Sequence, residues 1–398
     1  MSRDELRVLF LRHVCQTSAV PLGLTVARAS GSTVWDTGGR GYLDLLAGMG
    51  VANVGHTHPE VVAAVRAQAE RHLHVMVYGE FVEEAQVRLA TRLAGLLPAP
   101  LDVVYFTSSG AEAVEGALKT ARKHTRRARL VAFEGGFHGD TLGALSVGGN
   151  RRYRAPFEPL LADVTWLPFD DEGALGAIDR QTAAVVVEPI QAEGGVRIPS
   201  PGFLGALRRR CEETGALLVL DEVVTGFGRT GRLFAFEHWG IVPDLLVLAK
   251  ALGGGLPLGA FVGSAAVMAT LSHDPPLAHV TTFGGHPVSC AAGLAAIEVL
   301  LRDGLAARAA TLGDVLRSEL SALVGRGGLA AVRGLGLLLG LEFASPDTCG
   351  RFARRALDRG LILNWTLHRD TVVRLAPPLV LTDEEAERAT SIIGAALG

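Results

Sequence analysis

No stretch of about 18 or more consecutive apolar residues occurs in this chain, so no membrane-spanning helix is expected. The first residues, MSRDELRVLFLRHVCQ, mix acidic with basic side chains and show no signal-peptide pattern. Cysteine is scarce. Cys15, Cys211, Cys290 and Cys349 lie far apart and make neither a disulfide framework nor a CxxC site. Together these absences predict a soluble, reduced, cytoplasmic protein. An excess of either charge is also missing: 38 Lys and Arg face 41 Asp and Glu, a net charge of −3, so neither nucleic acid nor an anionic membrane is an expected partner. Aromatic residues are few, and no internal repeat or low-complexity tract stands out. Glycine is plentiful instead, 49 of 398 residues, which points to tight turns and close backbone contacts. The hydrophobic share of 48% indicates a sizeable core, and the length favours one large unit or two domains.

Short apolar runs recur along the middle of the chain: VVYF (103–106), LVAF (130–133), AAVVVEPI (183–190), LLVLDE (217–222), LLVLAK (245–250) and AFVGS (260–264). They are continuous rather than alternating, as in strands buried on both faces. Helical segments lie between them, such as SGAEAVEGALKTARKH (109–124) and PGFLGALRRRCEETG (201–215), the second stopping at Gly215. The alternation predicts an α/β domain with a mostly parallel sheet. The ends read differently. GSTVWDTGGRGYLDLL (31–46) looks like an antiparallel hairpin, and LLLGLEF (337–343) and VVRLAPPL (372–379) look like strands in a largely helical tail. TDEE (382–385) has the capping-box spacing that opens a helix. The expected division is a large domain over 55–290 and a small α+β domain built from 1–54 and 291–398.

In open α/β sheets, ligands bind beyond the carboxyl ends of the strands. Here several strands run into polar residues: Thr107-Ser108-Ser109, Glu134-Gly135-Gly136, Glu188, Asp221 and Lys250. Any one of them reads most simply as a capped or solvated strand end. Their joint occurrence at one edge is what draws notice. TSSGAEAVEGALK sets two serines and a glycine where a helix begins, a place that suits phosphate. On its own this is weak, because Ser109-x-x-Glu112 is also a capping box and Glu115 with Lys119 an ordinary i,i+4 pair. An aspartate ending a buried strand is costly unless a cation meets it. A lysine in the same position has a depressed pKa and becomes a better nucleophile toward a carbonyl. Asp221, Lys250 and a phosphate cradle together suggest pyridoxal 5'-phosphate, with the lysine linked to its aldehyde and the aspartate keeping its ring nitrogen protonated.

Taken with YLDLLAGMGVANVGHTHPEV, FHGDT, VEPIQAEGG, LDEVVTGFGRTG, LAKALGGGLPLGA and TTFGGHPVSCAAGLA, the chain resembles the class III aminotransferases of the pyridoxal-phosphate fold type I, the acetylornithine, ornithine and 4-aminobutyrate group. The likeness spans nearly the whole chain. It implies that Lys250 is the cofactor-linking, proton-shuttling residue and that Asp221 pairs with the ring nitrogen. Ser109, Gly110 and Ala111 would bind phosphate, with Thr282 reaching the phosphate of a neighbouring subunit in a homodimer. Phe137 and Val223 would cover the two ring faces, with His138 and Glu188 also in the cofactor site. Arg374 would grip the α-carboxylate of glutamate or 2-oxoglutarate, and Glu193 would pair with Arg374 when the donor is an ω-amine.

The departures from the family pattern concern the outer pocket. Val224 stands where a Gln usually contacts the cofactor's phenolic oxygen. Asp140 in FHGDT stands where an Arg holds a distal carboxylate. HGDT with GFGRTG is similar to the diaminopelargonate enzymes, and this resemblance implies an Asp140–Arg229 ion pair. Met49 replaces a Tyr, and His286 an Asn. The expected reaction is ping-pong transamination from an ω-amine donor of the acetylornithine, ornithine, lysine or diamine kind to 2-oxoglutarate. A diaminopelargonate-type transaminase with a different donor, an aminomutase, a racemase or a decarboxylase on the same fold is the nearer alternative, a non-catalytic scaffold the farther. HTH (56–58) and HLH (72–74) lack the carboxylates a metal site needs, so no metal is expected. Arg154 in RRYR is a weak candidate for a substrate carboxylate. The GGG of 253–255 lacks the order of a nucleotide loop.

Overall fold

The computed structural model describes residues 3–19 and 21–398. Seven strands make its central sheet: β1 (Val103–Thr107), β2 (Arg129–Phe133), β3 (Val164–Leu167), β4 (Thr182–Val187), β5 (Leu217–Asp221), β6 (Leu245–Leu248) and β7 (Gly259–Gly263). Their spatial order is β1-β7-β6-β5-β4-β2-β3. Every pairing is parallel except those of β7, which runs antiparallel to both β6 and β1. The continuous apolar runs are explained by burial on both sides. Val185, Val187, Leu218, Leu220, Leu246 and Leu248 face one core, and Ala184, Val186, Val219, Leu245 and Val247 face the other. β3 was not anticipated, because VTWL is a short edge strand, largely half-buried, with no long apolar run to announce it.

The helix Gly110–Thr125 covers the second face and packs against β6 and β7. Its approach to β7 requires Gly116, where a Cβ would come within 2.3 Å of the Phe261 ring. The helix Phe203–Thr214 ends at Gly215 in a left-handed conformation, as predicted. Two local expectations fail. Glu115 does not pair with Lys119. It accepts hydrogen bonds from Thr141 Oγ1 (2.7 Å) and Gly143 N (2.8 Å), while Lys119 reaches the Ala278 carbonyl (3.2 Å). The Ser109 capping box is half made: Ser109 Oγ accepts from Glu112 N, but Glu112 Oε2 turns back to Ser108 N rather than to Ser109 N.

The two chain ends meet in one small sheet. The hairpin Thr33–Asp36 and Gly41–Asp44 pairs antiparallel, and Leu361–Ile362 from the C-terminal part adds parallel to Gly41–Asp44. A second four-stranded sheet comes wholly from the C-terminal part and contains the antiparallel pair Leu338–Phe343 and Val372–Leu375. Thr382 and Glu385 form a complete capping box at the start of the last helix, Asp383–Leu397. Residue 290 falls inside the helix Pro287–Arg302, which packs on the helices Pro59–Arg71 and Glu84–Ala94. Among the described residues no helix is long and apolar enough to cross a membrane, and all four cysteines are unpaired.

Candidate active site

The carboxyl ends of β1, β4, β5 and β6 open onto a cavity of about 410 Å³. Ser108, Ser109, Gly110 and Ala111 form one wall, Phe137, His138 and Gly139 another, with Glu188, Asp221, Val223, Val224 and Lys250 at the base. Gly255 to Leu258, from the glycine-rich stretch after Lys250, complete the lining with Val51. Gly254 and Gly255 have φ of +60° and +109°, conformations that a side chain would strain, so the backbone itself can form the wall.

Asp221 is the last residue of β5 and is buried. Its Oδ2 lies 2.8 Å from His138 Nδ1, and its Oδ1 accepts from Val223 N at 3.0 Å. Burial alone would push the His138 pKa down. The hydrogen bond that His138 donates to Asp221, with the charges of Asp221 and Glu188, outweighs that and raises it. His138 and Asp221 therefore brace each other at the base of the cavity, with both Asp221 oxygens held by hydrogen bonds. Glu188 accepts from Phe137 N (2.9 Å) and Ala192 N (3.1 Å), yet burial and the nearby Asp221 push its pKa up to about 7.

Lys250 follows β6 in a 3₁₀ turn with φ +49°, the left-handed region that a non-glycine residue enters at a cost of about 1–2 kcal/mol. This conformation sets a side chain at the strand end into the cavity. Burial, and then the charge of Arg374, depress the Lys250 pKa; Glu193, Asp221 and Glu188 pull the other way. The fold thus places an amine with a lowered pKa and a carboxylate at the ends of neighbouring strands, as the sequence suggested.

Behind this pair, Glu193 and Arg374 form a buried ion pair. Glu193 Oε2 also accepts from Leu367 N at 2.8 Å, and the net effect of Arg374 and this bond holds the Glu193 carboxyl below its usual range despite burial. Arg374 Nη2 lies 3.4 Å from Met49 Sδ, while its buried Nε has no hydrogen-bond partner among the described residues. Met49 therefore keeps the arginine company without neutralising it.

Several expected residues lie elsewhere. The Asp140–Arg229 ion pair does not form. Asp140 is exposed beside the cavity wall, whereas Arg229 is fully buried and donates to the carbonyls of Leu337 and Pro377 and to Asn53 Oδ1. The turn that follows β5 carries Arg229 inward, away from the FHGDT loop. Thr282 is exposed and outside the cavity lining. His286 stands just before the helix Pro287–Arg302 without a capping hydrogen bond and stacks on His74 at 5.6 Å between ring centroids. Arg154 is buried with its guanidinium 3.5 Å over the Trp166 ring, so it belongs to the packing of β3 rather than to the cavity. His58 caps the helix Pro59–Arg71, and His56 meets Asp44 at 2.7 Å.

Sequence reasoning passed over Glu222, the buried neighbour of Asp221. It accepts from Ala235 N (2.7 Å), Phe236 N (2.7 Å) and Thr225 Oγ1 (3.1 Å), and burial pushes its pKa up to about 7. It holds the glycine-rich turn closed. Asn53 and His368 were also passed over; His368 packs edge-on to Phe137 and stacks on Tyr153. The DE dipeptide was a signal for Glu222. Nothing local marked the other two.

A family model described as aminotransferase class-III matches residues 14–397. The chain is 44% identical to the acetylornithine aminotransferase of Methanopyrus kandleri, over 97% of this chain and 96% of that protein. It is 42% identical to the putrescine aminotransferase of Pectobacterium atrosepticum, over 94% of this chain and 82% of that one. Its fold is similar to the ornithine aminotransferase of Toxoplasma gondii, solved with pyridoxal phosphate partly occupying its active site, with a TM-score of 0.93, 34% identity, and coverage of 100% and 94% of the two chains.

Proposed function

We propose, for a chain that belongs to the class III aminotransferases, that the cavity at the ends of β5 and β6 transfers an amino group from an ω-amine donor to 2-oxoglutarate. Pyridoxal phosphate is the cofactor, and the residues present fit it. The N–H groups at the start of the helix Gly110–Thr125 face the cavity with Ser109 and suit a phosphate. Phe137 and Val223 are apolar surfaces for a flat ring, and Asp221, braced by His138, suits a protonated ring nitrogen. When bound, the cofactor supplies an aldehyde for the amine and a ring that stores an electron pair. Lys250 would hold the aldehyde through its Nζ, and the same Nζ would move a proton at the donor carbon. Its lowered pKa favours the neutral, proton-accepting form. Arg374 grips the α-carboxylate of glutamate or 2-oxoglutarate, and Glu193 covers Arg374 while an amine without a carboxylate occupies the cavity.

The observation that carries this reading is the buried Glu193–Arg374 pair behind Lys250. A site that admits two unlike substrates in turn needs a carboxylate grip that can be neutralised from within. The same reading assigns Thr282, exposed and outside its own cavity, to the phosphate of a second copy, and the protein to a cytoplasmic homodimer of a large domain (55–290) and a small one (1–54 and 291–398). The test is a single-turnover titration of the cofactor-loaded protein with glutamate, N-acetylornithine, ornithine, lysine and putrescine, following the cofactor's visible absorption. Its loss with glutamate and with one ω-amine is expected. No change with glutamate would overturn the proposal. Full activity from a monomer in dilute solution would overturn the role of Thr282.

A further inference from the structure

Arg229 is a buried cation without an acid: among the described residues no carboxylate oxygen lies within ion-pair distance of it, and its side chain is 0% exposed. Burial, and then the charge of Arg374, lower its pKa to about 9. Leaving a charge in that state costs several kcal/mol, so its contacts must repay the cost.

Those contacts converge on Arg374. The strands Leu338–Phe343 and Val372–Leu375 pair antiparallel with Gly340 opposite Arg374 and Leu339 opposite Leu375. Continued by two residues, the same register sets Leu337 opposite Pro377. There the ladder cannot go on, because Pro377 and Pro378 have no N–H to donate. The Arg229 guanidinium takes over. Nη1 donates to both carbonyls, Leu337 O at 3.1 Å and Pro377 O, and Leu337 N returns a hydrogen bond to Arg229 O at 3.0 Å. Nη2 donates to Asn53 Oδ1 at 2.6 Å. The Asn53 side chain in turn donates through Nδ2 to Phe227 O (2.8 Å), while its main-chain carbonyl accepts from Leu379 N (2.8 Å). One planar fork therefore fastens the N-terminal segment, the turn after β5 and both strands that position Arg374.

We propose that Arg229 is a positioning residue for the carboxylate grip: with Asn53, it completes the strand pair that carries Arg374 and fixes that pair to the cofactor-binding unit. The fork is what matters. A lysine keeps the charge, but its donors all sit on one nitrogen of a shorter side chain, so it cannot reproduce the planar fork whose two nitrogens divide the carbonyls from the amide. A misplaced grip weakens the hold on the amino acid's α-carboxylate without altering the lysine that moves the proton.

This rests on the reading of Arg374 as the grip, so the experiment carries a control for that reading. Single-turnover kinetics of cofactor-loaded Arg229→Lys, Asn53→Ala and Arg374→Ala are followed against glutamate concentration. For Arg229→Lys the expected result is a KM for glutamate raised about 10-fold or more, with the rate at saturation within about 3-fold of the parent, since tenfold is only ~1.4 kcal/mol of lost positioning. Asn53→Ala, which leaves Arg229 in place with one acceptor removed, is expected to show the same split at about 3-fold and decides the matter if Arg229→Lys does not fold. A fall in the saturating rate with unchanged KM in both variants would overturn the proposal, as would unchanged kinetics. If Arg374→Ala leaves the KM unchanged, the reading of the grip itself has failed. If Arg374→Ala raises it and the other two variants do not, the positioning role alone has failed.

Discussion

Replacing Glu193 by Gln separates the two substrates that the cavity is proposed to accept. At rest Glu193 occupies Arg374, and both side chains are buried. Glutamate must displace it. Two unit charges about 4 Å apart attract by about 4 kcal/mol at an effective dielectric constant near 20. The displaced Glu193 recovers part of that by rehydration, and the incoming carboxylate replaces it on Arg374. A net cost of about 1–3 kcal/mol remains, a factor of about 5–150 in affinity. Glu193→Gln removes the competitor, so the apparent Kd of glutamate should fall by a factor in that range. The amine half-reaction should move the other way, because Arg374 is left uncompensated with its Nε already unpartnered. Lys250 gives a second reading. Glu193 raises its pKa, so the variant's Lys250 titrates lower still and the acid limb of the pH–rate profile moves to lower pH. The fold pays for the change, since an amide places N–H groups against either Arg374 or Leu367 N, at about 1–3 kcal/mol. Stopped-flow half-reactions with glutamate and with the best amine over a pH series, with calorimetry on the same samples, measure all four. Glutamate affinity unchanged or weakened in a folded variant would refute the reasoning.

Three further outcomes are expected. Lys250→Ala should keep the cavity and its phosphate cradle but lose turnover by at least about 10²–10⁴-fold, read as steady-state glutamate formation, because no other lining residue is an amine. Asp221→Ala should lose most activity and also return the His138 pKa toward or below its ordinary value, since Asp221 is what holds it up; imidazole resonances followed by NMR titration check the second part. Glu188 titrates near 7 in the fold against an ordinary value of 4.5, so the stability it contributes is complete below pH 4.5 and is lost as pH rises through 7. The cofactor-free protein should therefore lose up to about 3 kcal/mol from this group between pH 4.5 and 8, and Glu188→Gln should flatten that part of the profile in chemical denaturation.

The strands that build the cavity were legible because β4, β5 and β6 are buried on both faces, which leaves uninterrupted apolar runs, and because each run ends abruptly in a polar residue. Asp221, Glu188 and Lys250 could be read for that reason. Side-chain partners were not legible where they are distant in the chain. Arg229 was expected to meet Asp140, 89 residues earlier; its acceptors are Asn53, Leu337 and Pro377, brought together only by the sheet of the C-terminal part. The same holds for Glu115, which looked satisfied by Lys119 one turn away and instead caps the helix Leu142–Val147. Local spacing predicted elements well and pairings poorly, because a pairing depends on which surfaces the fold presses together.

Lys250 sits in a left-handed backbone conformation, with its amine in a cavity that disfavours its charge. Each of these opposes folding, but only the charge penalty goes with any neutral replacement; the backbone cost remains wherever the new residue has an ordinary side chain. Asparagine and glycine tolerate that conformation better than lysine does, and neither brings a charge. Replacing Lys250 by asparagine or glycine is therefore expected to raise the melting temperature of the cofactor-free protein while removing its turnover. On the proposed role of Lys250, loading the cofactor would engage that amine, remove its charge penalty and so raise the stability of the folded state.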